Sequence, residues 1–257
     1  MLTFFGIRVL GQPVALFTGS VIDVFARVGV AEQAVRSTLA RMVDRGLLER
    51  HRQGRKVYFG ITEHATAVLQ DGYDRVWRIG AVNDDWDGSW TLVGFSLPEA
   101  WRRQRHDLRS RLVWGGFGPV QSGLWVAPRS VDVPELVAGL GLDAHLNVFH
   151  GTPQAPTEAR AVLDTAFDVA AIASRYKVFL EHWDAAARSE TDPLARQLLL
   201  HTDWLDLIRQ DPHLPAEHLP ADWPAARAER LFHTVAKECE EPAAAEAARV
   251  LDVLPLR

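Results

Sequence analysis

Cysteine is almost absent from this 257-residue chain, which has a single one, Cys239. One cysteine excludes an internal disulfide and any zinc site built from several cysteines, and this scarcity is typical of a reducing compartment. No stretch approaches the roughly 20 consecutive apolar residues that a membrane-spanning helix needs. The apolar run at residues 1–12 contains an arginine and is too short for a signal peptide. We therefore expect a first helix there and a cytoplasmic protein.

Signatures of the common enzyme classes are also missing. The sequence has no Gly-rich phosphate loop, no His-Glu-x-x-His and no nucleophile elbow. Two groups of possible metal ligands, the aspartates Asp84, Asp85 and Asp87 and the histidines His213 and His218, lack the partners that a metal needs. We therefore expect a protein that is not an enzyme and that has no metal and no cofactor.

What the sequence does have is a cationic segment within a chain of net charge −5. Residues 30–61 hold seven Lys and Arg against three Asp and Glu, a local charge of +4. Affinity for nucleic acid comes from a local cationic face rather than from the net charge of the whole chain. The alternative is an ordinary solvated basic face, and charge alone does not decide between the two.

The hydrophobic pattern of the same segment predicts a helix followed by a hairpin. Apolar residues recur at helical spacing from Ala34 to Val43, and Gly46 can close the helix in the left-handed conformation. Strand-like stretches follow at 47–50 and 57–61, with a polar, basic turn between them. Together with the helices that we predict at residues 3–10 and 20–28, this is the order of a winged helix-turn-helix.

Such a module uses its last helix and its hairpin differently. The N-terminal residues of the recognition helix face base edges, whereas the hairpin, or wing, contacts phosphates or enters a minor groove. Gln33 is suited to adenine and Arg36 to guanine, since each can make two hydrogen bonds to that base. The candidate DNA-binding residues are Glu32, Gln33, Arg36, Ser37 and Arg41 on the helix and Arg52, Gln53, Arg55 and Lys56 on the wing.

A second pattern begins at Trp90 and predicts a strand, a helix, a hairpin, a helix and a strand. The predicted segments are the strand 90–95, the helix 96–114, the hairpin of 120–121 and 124–127, the helix 133–140 and the strand 146–149. The order βαββαβ is that of the ferredoxin-like fold, an antiparallel sheet covered by two helices on one face. The open face or edge of such a sheet needs a partner, and a second subunit is the natural candidate.

The predicted helix 96–114 carries a row of arginines. Its members are Arg102, Arg103, Arg105, Arg109 and Arg111. Such a row is either a solvated face or a contact for the phosphates of DNA or of a small molecule. Charge without a pocket does not decide between these roles.

The C-terminal part is predicted to be helical. Apolar residues recur at helical spacing in 157–183, 193–209 and 231–241, and the residues from Pro242 onward are rich in alanine. Four prolines between residues 212 and 224 alternate with leucine, histidine and tryptophan, which indicates an ordered loop rather than a low-complexity linker. The chain as a whole is therefore predicted to be of the α+β class.

Three stretches carry a resemblance to a known family, namely AVRSTLARMVDRGLLERHRQGRKVYFGIT, which ends at Thr62, WDGSWTLVGFSLPEAWRRQRHDLRSRLVWGGFGPVQSGLWVAP at residues 86–128, and LLLHTDWLDLIRQDPHLPAEHLPADWP at residues 198–224. Together they resemble the PaaX family of transcriptional regulators, which repress phenylacetic acid degradation and related aromatic catabolic pathways. The resemblance covers nearly the whole chain. Three motifs in succession are far more specific than the winged helix alone.

The resemblance implies a winged-helix DNA-binding domain at 1–62, a linker helix and connector at 63–85, a Cas2-like, ferredoxin-like middle domain at 86–152 and a helical effector and dimerisation domain at 153–257. It also implies a homodimer that represses an aromatic catabolic operon. This dimer would leave its partly palindromic operator when an aryl-CoA thioester, such as phenylacetyl-CoA, is bound. Nuclease activity does not come with the Cas2-like label, because the first strand ends Gly94-Phe95-Ser96 without an aspartate to hold a metal.

A CoA thioester needs cations for its phosphates and an apolar slot for its acyl group. The candidate effector-binding residues are Arg175, Tyr176, Trp183, His201, Trp204, Arg209 and Trp223. Packing in the core is the alternative role for the aromatic ones. Family members often have Trp-Pro-Gly where this chain has residues 223–225, and a more basic segment where it has residues 203–206. The identity of the effector therefore stays open.

Two other functions stay open on the sequence alone. A metal-dependent nuclease, or another enzyme built on the ferredoxin-like domain, would cleave DNA with added magnesium or manganese. A structural nucleic-acid protein would bind DNA without sequence preference. The sequence also does not distinguish a repressor from an activator.

Overall fold

The computed structural model describes residues 1–77, 80–186 and 192–256. Within these residues lie ten α-helices and two four-stranded antiparallel sheets, which confirms the predicted α+β class. In chain order the elements are α1 (Leu2–Arg8), β1 (Val14–Phe17), α2 (Thr18–Arg27), α3 (Glu32–Asp44), β2 (Leu48–Gln53), β3 (Lys56–Ile61), α4 (Glu63–Trp77), β4 (Trp90–Phe95), α5 (Arg102–Trp114), β5 (Gly118–Gln121), β6 (Leu124–Ala127), α6 (Val133–Leu136), β7 (Leu146–Gly151), α7 (Ala159–Ala166), α8 (Val169–Ala186), α9 (Pro193–Arg209), α10 (Ala225–Val250) and β8 (Val253–Pro255).

The chain divides into two compact units, and both contain segments that are distant in sequence. The first unit consists of Met1–Gly80, Phe179–Leu205 and Glu229–Arg257. The second consists of Ala81–Val178 and Asp206–Ala228.

The first unit is built on a sheet with strand order β2-β3-β1-β8. The predicted hairpin is confirmed as β2 and β3, which pair from Leu48↔Ile61 to Gln53↔Lys56. Neither β1 nor β8 was predicted, and they pair with each other through Ala15↔Leu254. The last strand of the chain therefore extends the sheet that carries the hairpin.

Two helix ends in the first unit follow their sequence signals, whereas α1 ends at Arg8 rather than Leu10 and α2 begins at Thr18 rather than Ser20. Gly46 has φ 67°, and the N–H groups of Gly46 and Leu47 bond to carbonyls in the last turn of α3, so the predicted glycine closure is confirmed. Thr62 caps α4, because its hydroxyl accepts a hydrogen bond from the Ala65 N–H at 3.1 Å. Buried side chains of α1, α2 and α3 form one core, which includes the Phe4–Phe25 edge contact at 5.6 Å.

The predicted end of the last helix is wrong. The pattern placed it at Glu241, whereas α10 continues to Val250 through Pro242. The alanines that follow the proline are strong helix formers, and Ala243 and Ala247 are buried in the core of the first unit. The helix therefore continues past Pro242, although a proline removes one backbone hydrogen bond.

The second unit contains the predicted βαββαβ succession. Its sheet has the order β5-β6-β4-β7, and all neighbouring strands are antiparallel. Leu108 and Leu112 of α5 and Val133 of α6 pack with Val93 and Trp125 in the core of this unit. The sheet and its two covering helices therefore match the ferredoxin-like plan.

Three helix boundaries in the second unit differ from the prediction. Helix α5 begins at Arg102 rather than near Ser96, because the preceding residues form a turn in which the Trp101 N–H bonds to the Pro98 carbonyl. Helix α6 ends at Leu136 rather than Leu140. The predicted helix 157–183 is two helices, since Phe167 is extended and separates α7 from α8.

Candidate nucleic-acid interface and effector residues

The orientation of α3 is fixed by its apolar side. Val35, Leu39 and Met42 follow one another at helical spacing, and all three are buried in the core of the first unit. The opposite side of the helix is therefore held at the surface. All five candidate residues on α3, namely Glu32, Gln33, Arg36, Ser37 and Arg41, are exposed.

Two of the candidate arginines on α3 have partners on the same helix. Arg36 Nε lies 2.7 Å from Glu32 Oε1, and Arg41 donates to Thr38 Oγ1 at 3.0 Å. The side chains of Arg36 and Glu32 are 53% and 59% exposed, so water screens this ion pair and little free energy is lost when it breaks. Arg36 can therefore exchange Glu32 for the edge of a base.

The wing is a tight hairpin with a cationic tip. Gly54 has φ 60° at the first central position of the two-residue turn, where a type II′ hairpin favours glycine. The four candidate residues Arg52, Gln53, Arg55 and Lys56 are all exposed. Neither Arg52 nor Arg55 has a carboxylate partner in the described part of the chain, so both are available to phosphates.

The third wing cation, Lys56, is bound by a carboxylate that sequence reasoning missed. Lys56 Nζ lies 2.6 Å from Asp252 Oδ2, and Tyr58 Oη donates to the other oxygen of Asp252 at 3.2 Å. The bond from Lys56, ahead of the one from Tyr58, lowers the pKa of Asp252, and the same bond raises the pKa of Lys56. The Asp252 N–H also donates to Ser20 Oγ, which holds the start of the last strand beside α2.

Asp252 lies next to the cations that would contact DNA, so Asp252→Asn is expected to tighten binding. The substitution removes a negative charge and releases Lys56 to a phosphate. Since each phosphate contact contributes about 0.9 to the slope of log affinity against log salt, the gain is about fivefold near physiological salt. Operator and random duplexes should gain alike, as gel shifts over a range of salt would measure.

Glu240→Gln is a matched control for this variant, because it removes one exposed acid of α10 outside the wing. An Asp252→Asn variant that binds both duplexes like the control would contradict this role of Asp252.

Three of the effector candidates lie in the first unit, and their contacts are those of packed side chains. Trp204 stacks on Phe232 with a centroid distance of 4.8 Å and an interplanar angle of 10°. Trp183 is buried and donates from Nε1 to Asp203 Oδ2 at 3.1 Å. Burial, with a smaller contribution from Arg8, lowers the pKa of His201 to about 4. His201 is therefore neutral near pH 7 and brings no positive charge for a phosphate.

The other four effector candidates lie in the second unit, where Arg175 and Tyr176 of α8 contact the residues that follow Arg209. Arg175 donates to the side chain and the carbonyl of Gln210. Arg209 lies over the ring of Trp114 at 4.8 Å. Tyr176 donates to the half-buried Asp211, and its ring meets Trp223 edge-on at 6.2 Å. Burial raises the pKa of Asp211, and the bond from Tyr176 opposes that rise.

A groove of about 620 Å³ lies along the junction of α7 and α8, and its wall includes Arg160, Phe167, Pro220 and Trp223. Trp223 is the one predicted effector residue in this wall. Arg160 donates to Asp164 and to the His218 carbonyl, and these two bonds fix the position of its guanidinium. The lining also includes Asp164 and Asp168, so its aromatic and aliphatic walls suit an uncharged apolar group.

The groove depends on the break between α7 and α8, which the sequence pattern did not reveal. Asp168 caps α8 by accepting a hydrogen bond from the Ala171 N–H at 2.8 Å. Gly118 of β5 lies against the Ala166 carbonyl so closely that a β-carbon at this position would collide with it. Arg160 and Phe167 were therefore not among the predicted site residues, since their place at the groove follows from this close packing.

The described residues contain no group of three or more His, Cys, Asp and Glu side chains placed to hold a metal ion. The single thiol, Cys239, is buried, and burial raises its pKa. None of the described helices is both long enough and apolar enough to cross a lipid bilayer.

Three family models match the chain one after another. Residues 1–65 match the PaaX-like protein model, residues 83–163 the PaaX protein central Cas2-like domain, and residues 167–249 the PaaX-like protein C-terminal domain. The order is that of the three stretches that carry the resemblance in the sequence. The Cas2-like description agrees with the ferredoxin-like strand order of the second unit.

Two individual proteins add to this match. The chain is 26% identical over 231 residues to the transcriptional repressor PaaX of Escherichia coli, an alignment that covers 84% of this chain and 72% of that protein. An uncharacterized protein from Mycobacterium tuberculosis has a solved structure similar to this one, with a TM-score of 0.64, 22% identity and 95% of each chain covered. At that identity the structural likeness supports the fold alone.

Proposed function

Because the chain belongs to the PaaX family, we propose that it is a DNA-binding transcriptional regulator whose winged helix, residues 1–62, recognises an operator. We further propose that it acts in the cytoplasm as a homodimer, represses an aromatic catabolic operon and is released by an aryl-CoA thioester. The proposal takes its regulatory role from the relative in Escherichia coli, which is named a transcriptional repressor.

The observation that carries the DNA-binding proposal is the paired polar surface of α3 and the wing. One side of α3 is held by buried side chains, and the other presents five polar residues within three helical turns. The hairpin that follows presents Arg52 and Arg55 at a turn that glycine shapes. A helix for base edges and a cationic hairpin for phosphates are the two contacts that sequence-specific winged helices combine.

A gel shift at fixed salt tests this function. The probes are duplexes from the DNA upstream of the gene that encodes this chain, and a scrambled duplex is the control. We expect at least one natural duplex to bind far more tightly than the scrambled one. Equal affinity for all duplexes would instead favour a structural nucleic-acid protein, and no binding to any of them would contradict the proposal.

The groove at the junction of α7 and α8 is our proposed site for the aryl group of the effector. Trp223 and Phe167 provide aromatic surface, and the Arg160 guanidinium in the lining is paired with Asp164. Asp164 and Asp168 also line the groove, so the CoA phosphates are better accommodated outside it. The other effector candidates stay predictions, and the buried ones among them have packing as their alternative role.

Saturating phenylacetyl-CoA is expected to weaken operator binding at least tenfold, which requires about 1.4 kcal/mol of preference for the DNA-incompetent state. Trp223→Ala should remove most of this response, because it removes an aromatic wall of the groove. Fluorescence anisotropy of a labelled operator, with and without the thioester, measures the loss of affinity in the wild type and in Trp223→Ala.

Trp77→Ala is the matched control, since Trp77 is also a partly exposed tryptophan but lies in α4. An unaltered response in Trp223→Ala would place the effector elsewhere. If the thioester leaves the operator affinity of the wild-type protein unchanged, the proposed effector class is wrong.

The competing function is a metal-dependent nuclease built on the ferredoxin-like sheet. Its first strand, β4, ends at Phe95 and is followed by Ser96, without a carboxylate at the end where such a fold would hold a metal. Incubation of duplex DNA with the protein and magnesium or manganese decides between the two. Cleavage would support the nuclease, and intact DNA would support the regulator.

A further inference from the structure

Helix α5 concentrates positive charge within an otherwise acidic unit. It carries five arginines and one acid, Asp107. The remaining residues of the second unit carry six Lys and Arg against fourteen Asp and Glu. The charge on α5 is therefore local, and a local cationic face is what attracts a polyanion to a protein of negative net charge.

The orientation of α5 is fixed by its buried side. Leu108 and Leu112 are fully buried in the core under the sheet, which turns the arginine side toward solvent. Arg102 and Arg109 are exposed and two helical turns apart, roughly 10 Å along the helix axis. Two guanidinium groups at this separation can contact different phosphates of one DNA strand.

The arginines of α5 differ in what they bind within the protein. Arg105 donates to the carbonyls of Leu97 and Pro98, which ties down the turn before the helix. Arg103 Nε lies 3.8 Å from Asp107 Oδ2, and the Arg103 side chain is 92% exposed. Arg102, Arg109 and Arg111 have no carboxylate partner within residues 1–77, 80–186 and 192–256. Most of the positive charge on this helix is therefore not neutralised by the protein.

We propose that α5 is a second DNA-contacting surface, which binds backbone phosphates and does not read the base sequence. The planar guanidinium forks of arginine match the oxygens of a phosphate, and duplex DNA presents a continuous row of them. The inference rests on the proposed DNA-binding function, because DNA is the polyanion that such a regulator meets. It adds a contact outside the winged helix to that function.

The test removes two of these charges together, in the double variant Arg102→Gln and Arg109→Gln. Both side chains are exposed and glutamine is a good helix former, so the fold should persist, and circular dichroism checks this. The matched control is the double variant Lys177→Gln and Arg230→Gln, which removes two exposed cations from α8 and α10. Affinities for a selected operator and for a random duplex are measured by anisotropy at several salt concentrations.

For the α5 variant we expect Kd to rise about tenfold or more on both duplexes, and the slope of log affinity against log salt to become shallower by about two. The control should keep the wild-type slope. A slope equal to that of the control would overturn the proposal, and so would a loss confined to the operator. Wild-type protein that binds neither duplex would refute the DNA-binding function itself, which keeps the two failures apart.

A small phosphate ligand is the competing occupant of α5, and coenzyme A is the probe for it. If the α5 variant binds DNA like the control but no longer responds to coenzyme A, the helix binds the small molecule and the proposal is wrong. If coenzyme A leaves the DNA affinity of wild type and variant unchanged while the slope falls as expected, the DNA contact is supported.

Discussion

Arg36→Ala is expected to weaken operator binding by about 1–3 kcal/mol while it changes the affinity for random DNA little, because a bidentate contact to a base discriminates by that amount. Arg36 is exposed near the start of α3, and its partner in the protein is the equally exposed Glu32. The ion pair therefore places the guanidinium at the surface without holding it there. Gel shifts with operator and scrambled duplex at one salt concentration measure the two losses.

Two arginines provide the comparison for Arg36. Arg55→Ala, at the tip of the wing, should weaken operator and random duplex by the same factor, since phosphates are common to both. Arg45→Ala removes another exposed cation, at the C-terminal end of α3 and away from the residues that face base edges, and should cost less on the operator than Arg36→Ala. Equal losses on both duplexes for Arg36→Ala would show that this residue does not read sequence.

Trp204→Ala is expected to destabilise the folded chain by about 3–5 kcal/mol, the range for deletion of a large buried aromatic side chain. Trp204 is 1% exposed and packs between Phe179, at 5.3 Å, and the stacked ring of Phe232. These rings leave the indole in contact with the protein core rather than with solvent. Urea unfolding followed by circular dichroism measures the loss, and Trp204→Phe should lose less because it keeps a ring in the stack.

The Trp204→Phe variant also decides whether Trp204 is an effector residue. If Trp204 serves packing alone, the folded Trp204→Phe protein should keep the wild-type release of operator by phenylacetyl-CoA. If Trp204→Phe instead retains wild-type stability and loses that release, Trp204 contacts the effector and the packing role assigned to it is wrong.

The parts of the fold that the sequence predicted are those with a repeated hydrophobic period. Val35, Leu39 and Met42 predict α3 because burial on one side of a helix recurs at that spacing, and Gly46 marks its end. The strands β1 and β8 have four and three residues, and no hairpin turn joins either to a neighbour as it joins β5 to β6. They are strands because β1 pairs with both β3 and β8, contacts between distant parts of the chain that local patterns do not contain.

Helix boundaries failed where local and tertiary effects compete. Pro242 predicts a helix end, yet the buried alanines after it continue α10. Phe167 and Val169 continue the apolar pattern across the break between α7 and α8, and Phe167 is buried although its backbone is extended. Periodicity reports which residues are apolar and does not report whether the backbone between them stays helical.

In the candidate site, too, features set by a local pattern were predicted and features set by tertiary contacts were missed. Exposure of the polar side of α3 could be predicted, because it is opposite the apolar stripe of the same helix. The ion pair between Lys56 and Asp252 could not, since the two residues are far apart in sequence and meet only because β1 pairs with both β3 and β8. The groove residues Arg160 and Phe167 were missed for a similar reason, because the interruption between α7 and α8 that brings them to the groove has no local sequence signature.

Selection from a pool of random duplexes tests most directly whether α3 and the wing recognise a defined DNA sequence. Wild-type protein should enrich one motif and bind it at least about 10³-fold more tightly than a scrambled duplex at physiological salt. In the selection with Arg36→Ala, the preference should relax at one base pair in particular. A wild-type selection that enriches no motif, at a salt concentration where the protein still binds DNA, would contradict the claim.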